Sequence, residues 1–410
     1  MLLIQQGFNV QVTGERGSTL LHYMANCGYA ALFAVLIELN LEVNRQNDDG
    51  RTPLYFATNQ RKHHFMKLLL RAGANPNLFP CQDNYGRTPI LLAVWGNQNA
   101  RQVVKRLLNA GMDLESVRDP NGRTPLMAAI CSGSTQVFMM MFNKISVVDE
   151  RDYEGRTALF IATQIGNLQI VHLLLRLLHK SRALNLPDKQ GCTLLLLAVQ
   201  HGWVSIVALT LQRSDINVNT KHSESCSPLT WAVTNHTSTV TSLLLEHGAK
   251  IEEHIDILYP RVLFYAPLCG HELVVNILLE RGANIENTDI EGRTPLAGAA
   301  RNGHAEVVLR LLEKGACPEP EDRRGKTSLL LAAMKGYSNT IAVLLPYGVN
   351  VNKVDSYHRT ALSLAAERGS TALIRLLLRQ PGNEVDHPDA TGRTPLVWVV
   401  RAGNVQAVQL

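Results

Sequence analysis

The chain has 410 residues, 46% of them apolar and 18% charged, so a sizeable core is possible and wholesale disorder is excluded. Forty Lys and Arg stand against 35 Asp and Glu, a net charge of +5 that calls for neither nucleic acid nor an anionic membrane as partner. The seven cysteines form no C-x-x-C pair, which excludes a zinc ribbon or redox motif and fits a reducing, intracellular setting.

In chain order, Met1-Leu2-Leu3-Ile4-Gln5-Gln6-Gly7 lacks the basic start and long apolar run of a signal peptide. Next comes Gly17-Ser18-Thr19-Leu20-Leu21, the first of a series. Its strong copies start at Gly50, Gly86, Gly122, Gly155, Gly292 and Gly392, all reading Gly-Arg-Thr-Pro/Ala-Leu/Ile. Weaker copies surround Thr193, Ser227, Thr327 and Thr360, and the weakest places Arg261 in the Thr slot. The twelve slots are separated by 33 to 36 residues.

Each anchor predicts the same unit. Thr caps a short first helix by accepting a backbone N–H, and Pro beside it occupies a turn where its missing donor costs nothing. A glycine then separates this Ala-rich helix from a second one carrying Leu runs such as Leu68-Leu69-Leu70 and Leu376-Leu377-Leu378. Gly73, Gly248, Gly282 and Gly315 follow the second helix where a left-handed cap is wanted. Thr193 to Leu211 has no Lys, Arg, Asp or Glu, but Gln200-His201-Gly202 interrupts it, predicting two short helices and no membrane span.

The series resembles the ankyrin repeat family, whose signature is Asp-x-x-Gly-x-Thr-Pro-Leu-His-x-Ala-Ala-x-x-Gly-His. The resemblance implies an all-α solenoid of stacked helix-turn-helix units with short β-hairpin loops, about twelve repeats forming a single array over residues 1–410, with partial units at both ends. The signature His after Pro-Leu is present only at His22. Neither end carries a polar capping repeat, so the chain is expected to be a segment of a longer array, monomeric unless the uncapped ends associate.

The array is irregular in places. Longer intervals place insertions at 78–82, at Trp95 to Asn99 and at 177–186, read as loop drift. Ser225 and Tyr259 replace turn glycines, and Pro267 lies inside a predicted first helix, so a bend is expected near 250–270.

No catalytic, cofactor or metal constellation emerges. His63-His64 has no ligand partner at a regular spacing, His201, His271 and His304 lie at the helix joint, and the Asp before each turn glycine is turn chemistry. The sequon Asn235-His236-Thr237 is idle in a cytosolic chain. The resemblance implies a non-enzymatic scaffold or adaptor that binds unidentified protein partners along a concave face of hairpin tips and first helices. Small-molecule substrate, nucleic acid and membrane are not expected, and residence is cytoplasmic with the nucleus open. The alternative is the regulatory or sensing array of a larger multidomain protein. Basic tips at Arg51, Arg87, Arg123, Arg156, Arg293, Lys326, Arg359 and Arg393 read mainly as ordinary turn residues neutralised by Asp48, Asp49, Glu154 and Glu291. Candidate partner contacts are the tips Tyr85, Tyr153, Arg293, Arg323, Arg324 and Tyr357, and the first-helix ends Trp95, Gln200, His201, Arg301, Asn302, Met334 and Lys335.

Overall fold

The structure, a computed structural model, describes residues 12–36, 41–78, 88–96, 99–178, 182–221, 226–251 and 262–410. Among these residues the chain forms twenty-four α-helices, two for each of the twelve anchors, and no β-strand. An isolated bridge joins Thr13 to Thr19. The hairpin loops are therefore reduced to tight turns.

Pro295–Asn302 and Ala305–Glu313 show why the sequence folds this way. Thr294 Oγ1 accepts the Ala297 N–H at 3.3 Å, and Pro295 fills the first helical position. Gly303 ends the helix with φ +81°, and Gly315 closes the second helix with φ +90°, both in the region that glycine alone enters without strain. The first helix buries Leu296 through Ala300, small residues that let neighbours approach closely. The second buries only Val307, Val308, Leu311 and Leu312, a stripe with helical spacing that leaves its other face in solvent.

The Thr cap recurs in Thr52, Thr124, Thr157, Thr327 and Thr360, each accepting the N–H three residues on. His22 joins two adjacent repeats by hydrogen bonds. Its Nδ1 lies 3.0 Å from the Thr19 N–H, and its Nε2 lies 2.8 Å from the Arg51 carbonyl of the next repeat. Burial lowers its pKa, and the backbone carbonyls of Arg51 and Arg45 only partly offset that.

The chain divides into two compact units, Met1–Leu197 and Ala198–Leu410. The division falls inside the helix Leu194–Gln200. In the first unit the first helices Leu20–Cys27, Pro53–Asn59, Pro89–Trp95, Pro125–Cys131 and Ala158–Ile165 stack in one layer. Behind them run Ala30–Leu36, His63–Arg71, Ala100–Asn109, Thr135–Phe142 and Leu168–Leu177. The second unit repeats the arrangement, from Pro228–Thr234 with Ser238–Glu246 to Pro395–Arg401 with Val405–Val408. Helix Val262–Cys269 contains Pro267 without interruption. The expectations at Met1 to Gly7, residues 79–87, Lys180, Ser225, Tyr259 and Arg261 lie outside the described residues. No helix among the described residues is long and apolar enough to cross a membrane.

Candidate interaction surface

The tips are built around a buried carboxylate. Asp289 Oδ1 accepts the N–H of Glu291 at 2.9 Å and of Arg293 at 2.8 Å, while Oδ2 takes the Arg293 guanidinium at 2.5 Å. Asp152 with Arg156 and Asp355 with Arg359 repeat this geometry. The basic stripe is thus largely paired, chiefly by the Asp that opens each turn. Of the sequence-expected acids, Asp49 pairs with Arg51 and Glu291 with Arg293. Arg293 is only 13% exposed and also lies over the Phe264 ring, so the structure draws this contact candidate into its own turn. Asp389 uses Thr391, Trp398 and backbone N–H groups. Burial alone would raise its pKa, yet these hydrogen bonds hold it well below the carboxylate range.

Adjacent tips are joined by one backbone bond. Tyr153 N donates to Asn121 O and Arg323 N to Glu291 O at 2.9 Å, Ser356 N to Arg324 O at 3.1 Å and Ala390 N to Tyr357 O at 2.9 Å. This fixes the tip side chains. Tyr153 is 61% exposed with its ring seated on Gly122, where a Cβ would come within 2.6 Å of it. Tyr357 is 55% exposed and propped by Arg359, whose guanidinium sits 5.0 Å from the ring centre. Arg323 and Arg324 are exposed and have no ion pair among the described residues. Tyr85 lies outside the described residues.

At the first-helix ends Trp95 is 44% exposed and lines a cleft of about 170 Å³ with Thr58, Asn59, Arg61, Leu92 and Val103. His201 is exposed and stacks on Trp203, while Gln200 is half-buried. Arg301 is half-buried, and Asn302 is exposed but donates to the Leu268 carbonyl at 2.8 Å, which also takes His304 Nε2 at 2.9 Å. Met334 is half-buried and accepts from Lys326 Nζ at 3.6 Å, leaving Lys335 in solvent. Among the described residues, the sequence-predicted contacts fall at two places in the repeat, the tips and the first-helix ends.

Three features escaped the sequence reading. One is a ladder on the loops after the second helices. Asn77 donates to Gly111 O at 2.8 Å and accepts from Asp113 N at 2.7 Å; Asn44, Asn219 and Asn352 do the same to their own successors. Its signal was available, since Asn77, Glu115, Glu286, Glu319 and Asn352 each stand four residues after a cap glycine. The second is His236, which occupies a joint-glycine slot at φ +65° and brings its ring centroid to 3.4 Å from that of His271. Burial lowers the His271 pKa, and His236 and His304 oppose a second charge there.

The third is charge segregation. In the first unit the second helices His63–Arg71, Ala100–Asn109 and Leu168–Leu177 carry only basic ionisable groups, Thr135–Phe142 carries none, and all four lack Asp and Glu. In the second unit Arg310 pairs with both Glu272 and Glu313, and Arg281 with Glu246.

Burial, with Asp188 adding, pushes the Cys192 thiol up to about 12, so it is no thiolate near neutrality. Among the described residues no three His, Cys, Asp or Glu are placed to hold a metal ion.

A family model described as "Ankyrin repeats (3 copies)" matches residues 1–80, 21–117, 90–181, 175–255, 262–355 and 329–410. The human transient receptor potential cation channel subfamily A member 1 is 25% identical over 255 residues, 60% of this chain and 22% of the channel. The ankyrin repeat protein nuc-2 of Neurospora crassa is 31% identical over 156 residues, 37% of this chain and 14% of that protein. The ADP-ribosylation factor GTPase-activating protein AGD4 of Arabidopsis thaliana is 35% identical over 63 residues, 15% and 8% of the two chains. The chain spans less than a quarter of the length of each.

Proposed function

The chain belongs to the ankyrin repeat family, and from that premise we propose that it is a non-enzymatic, cytoplasmic protein-binding scaffold or adaptor. The observation that carries the reading is a contrast within each repeat. Ionisable groups that recur with the period, such as Asp152, Asp289 and Asp355, are tied into their own turns. The tips and first-helix ends instead carry Tyr153, Tyr357, Arg323, Arg324 and Lys335 into solvent, different in each repeat and held on a fixed backbone. Exposed Tyr and Arg on a rigid support give contact area at low entropic cost.

A second reading is supported by the relatives. They include a cation channel and a GTPase-activating protein, and the chain matches only a part of each. On that reading the array recognises a partner on behalf of a larger protein's activity.

The test is proximity labelling in cells with the 1–410 chain, comparing wild type with Tyr153→Ala, Tyr357→Ala and Arg323→Glu/Arg324→Glu. Loss of a shared set of labelled proteins in at least one variant is expected. Retention of every partner in all three removes the tips from the binding surface.

A further inference from the structure

We propose that the second and third repeats hold a docking site for an acidic protein segment bearing one large apolar side chain. The inference deepens the protein-binding reading by assigning partner chemistry to a part of the surface that the tips do not reach. Its apolar half is the Trp95 cleft, whose walls are Leu92, Ala93 and Val103. At about 170 Å³ it is smaller than the cavities that enclose a drug-sized ligand and suits a single side chain.

Its charged half is the solvent face of His63–Arg71 and Ala100–Asn109. Lys67 and Arg71 stand four residues apart on the first, and Arg101 and Lys105 four apart on the second. All four are exposed, and none has an ion pair among the described residues. Like charges at this spacing weaken a helix, so the arrangement opposes local stability. The two helices are neighbours, because Arg106 Nη1 donates to the His63 carbonyl at 2.6 Å.

Arg61 joins the two halves. It lines the cleft, is exposed with no ion pair among the described residues, and holds φ +56° at the helix joint. Glycine occupies equivalent joints such as Gly28 and Gly133 at φ +84° and +72°. A long side chain kept in that conformation strains the backbone in order to put a guanidinium at the mouth of the cleft.

Charge complementarity selects the occupant. A bilayer would want apolar side chains protruding beside the cations, and neither helix exposes a large one. Single-stranded nucleic acid would want several aromatic platforms, and Trp95 is the exposed one on the described part of these two repeats. Carboxylates flanking one apolar anchor match both halves.

The test is display selection of random peptides of about 15 residues, the length of a short docking segment, on the whole 1–410 chain. Recovered peptides are expected to be rich in Asp and Glu around a single Leu, Ile, Met or Phe. The variant Lys67→Glu/Arg71→Glu/Arg101→Glu/Lys105→Glu recovers none of them. Trp95→Ala weakens the best peptide about tenfold but leaves its anchor-to-Ser version unchanged, since one filled pocket is worth about that factor. Arg61→Gly weakens binding while the unfolding midpoint holds or rises, which separates recognition from folding. The proposal is overturned by failure to recover peptides, by a consensus without acids, or by undiminished binding to the charge-reversed chain. Tighter retention by phosphatidylserine vesicles or single-stranded DNA overturns it as well. If those results come with loss of cellular partners in the tip variants, protein binding stands and this site falls; if the tip variants keep every partner too, both readings fall.

Discussion

The second helices of the two units occupy the same place in the repeat and bury the same kind of stripe, yet their outer faces differ. In the first unit Leu69, Val104 and Leu107 point inward, and the outward positions are basic or neutral. In the second unit Val308 and Leu311 point inward, and the outward positions include acids as well as bases, with Arg310 linking Glu272 on one helix to Glu313 on its own. The inward stripe follows from the fold, because burying it is what holds one repeat to the next. The outward face does not. Charge there is free to staple neighbours or to remain unpaired, and the two units take different options.

The contrast implies that shared features have equal weight in both units. The largest effect is expected at the turn carboxylate. Asp152→Ala and Asp289→Ala each leave two backbone N–H groups and one guanidinium without their acceptor, costing about 3 kcal/mol. Urea unfolding measures both, and a large difference between them would show that the turn is not common ground.

The joint glycines give the next effect. Gly303→Ala costs about 2 kcal/mol, because φ is +81° and the new Cβ meets the Tyr337 ring at 2.6 Å. Gly133→Ala costs about 1 kcal/mol, because φ is +72° and nothing lies within 4 Å. Equal losses would mean that the ring on the glycine contributes nothing.

The outer faces themselves provide the sharpest and smaller test. Reversing Lys67, Arg71, Arg101 and Lys105 to Glu changes stability by no more than about 0.5 kcal/mol, as for exposed groups without partners. Arg310→Ala lowers the midpoint of its unit, and the loss shrinks with added salt. A salt-independent loss would point to packing of the Arg310 stem instead of its charge.

Last, thiol labelling near neutrality modifies the exposed Cys27, Cys269 and Cys317 and spares Cys192 in the folded chain. The direction follows from burial, which disfavours the thiolate and raises the pKa to about 12. Ready labelling of Cys192 would mean that its part of the first unit opens.

Much of the fold was legible because its signals are local. Thr294, Pro295 and Gly303 specify the start and end of a helix with no information from elsewhere in the chain. The surface was less legible because its state depends on contacts across a turn or a repeat. Arg293 reads as an exposed cation until the turn folds Asp289 beneath it. Trp95 reads as a helix end, and the cleft beside it exists only once Asn59 and Arg61 of the preceding repeat arrive. The basic face went unseen for another reason: a net charge of +5 averages unpaired cations on one set of helices with paired ones on another.

The tip bonds and the loop ladder have a mechanical meaning. Among the described residues, the polar links across a repeat junction are few: Asn77 to Gly111 and Asp113 with Arg106 to His63 at one, and Arg323 to Glu291 at another, with the apolar stripe buried beside them. Such junctions are short-range and brittle: a displacement of about 1 Å breaks the hydrogen bonds outright. A unit built from them is expected to extend under tension in steps, one repeat detaching while its neighbours keep their shape. A force–extension trace of either unit is expected to show discrete releases and not a smooth stretch.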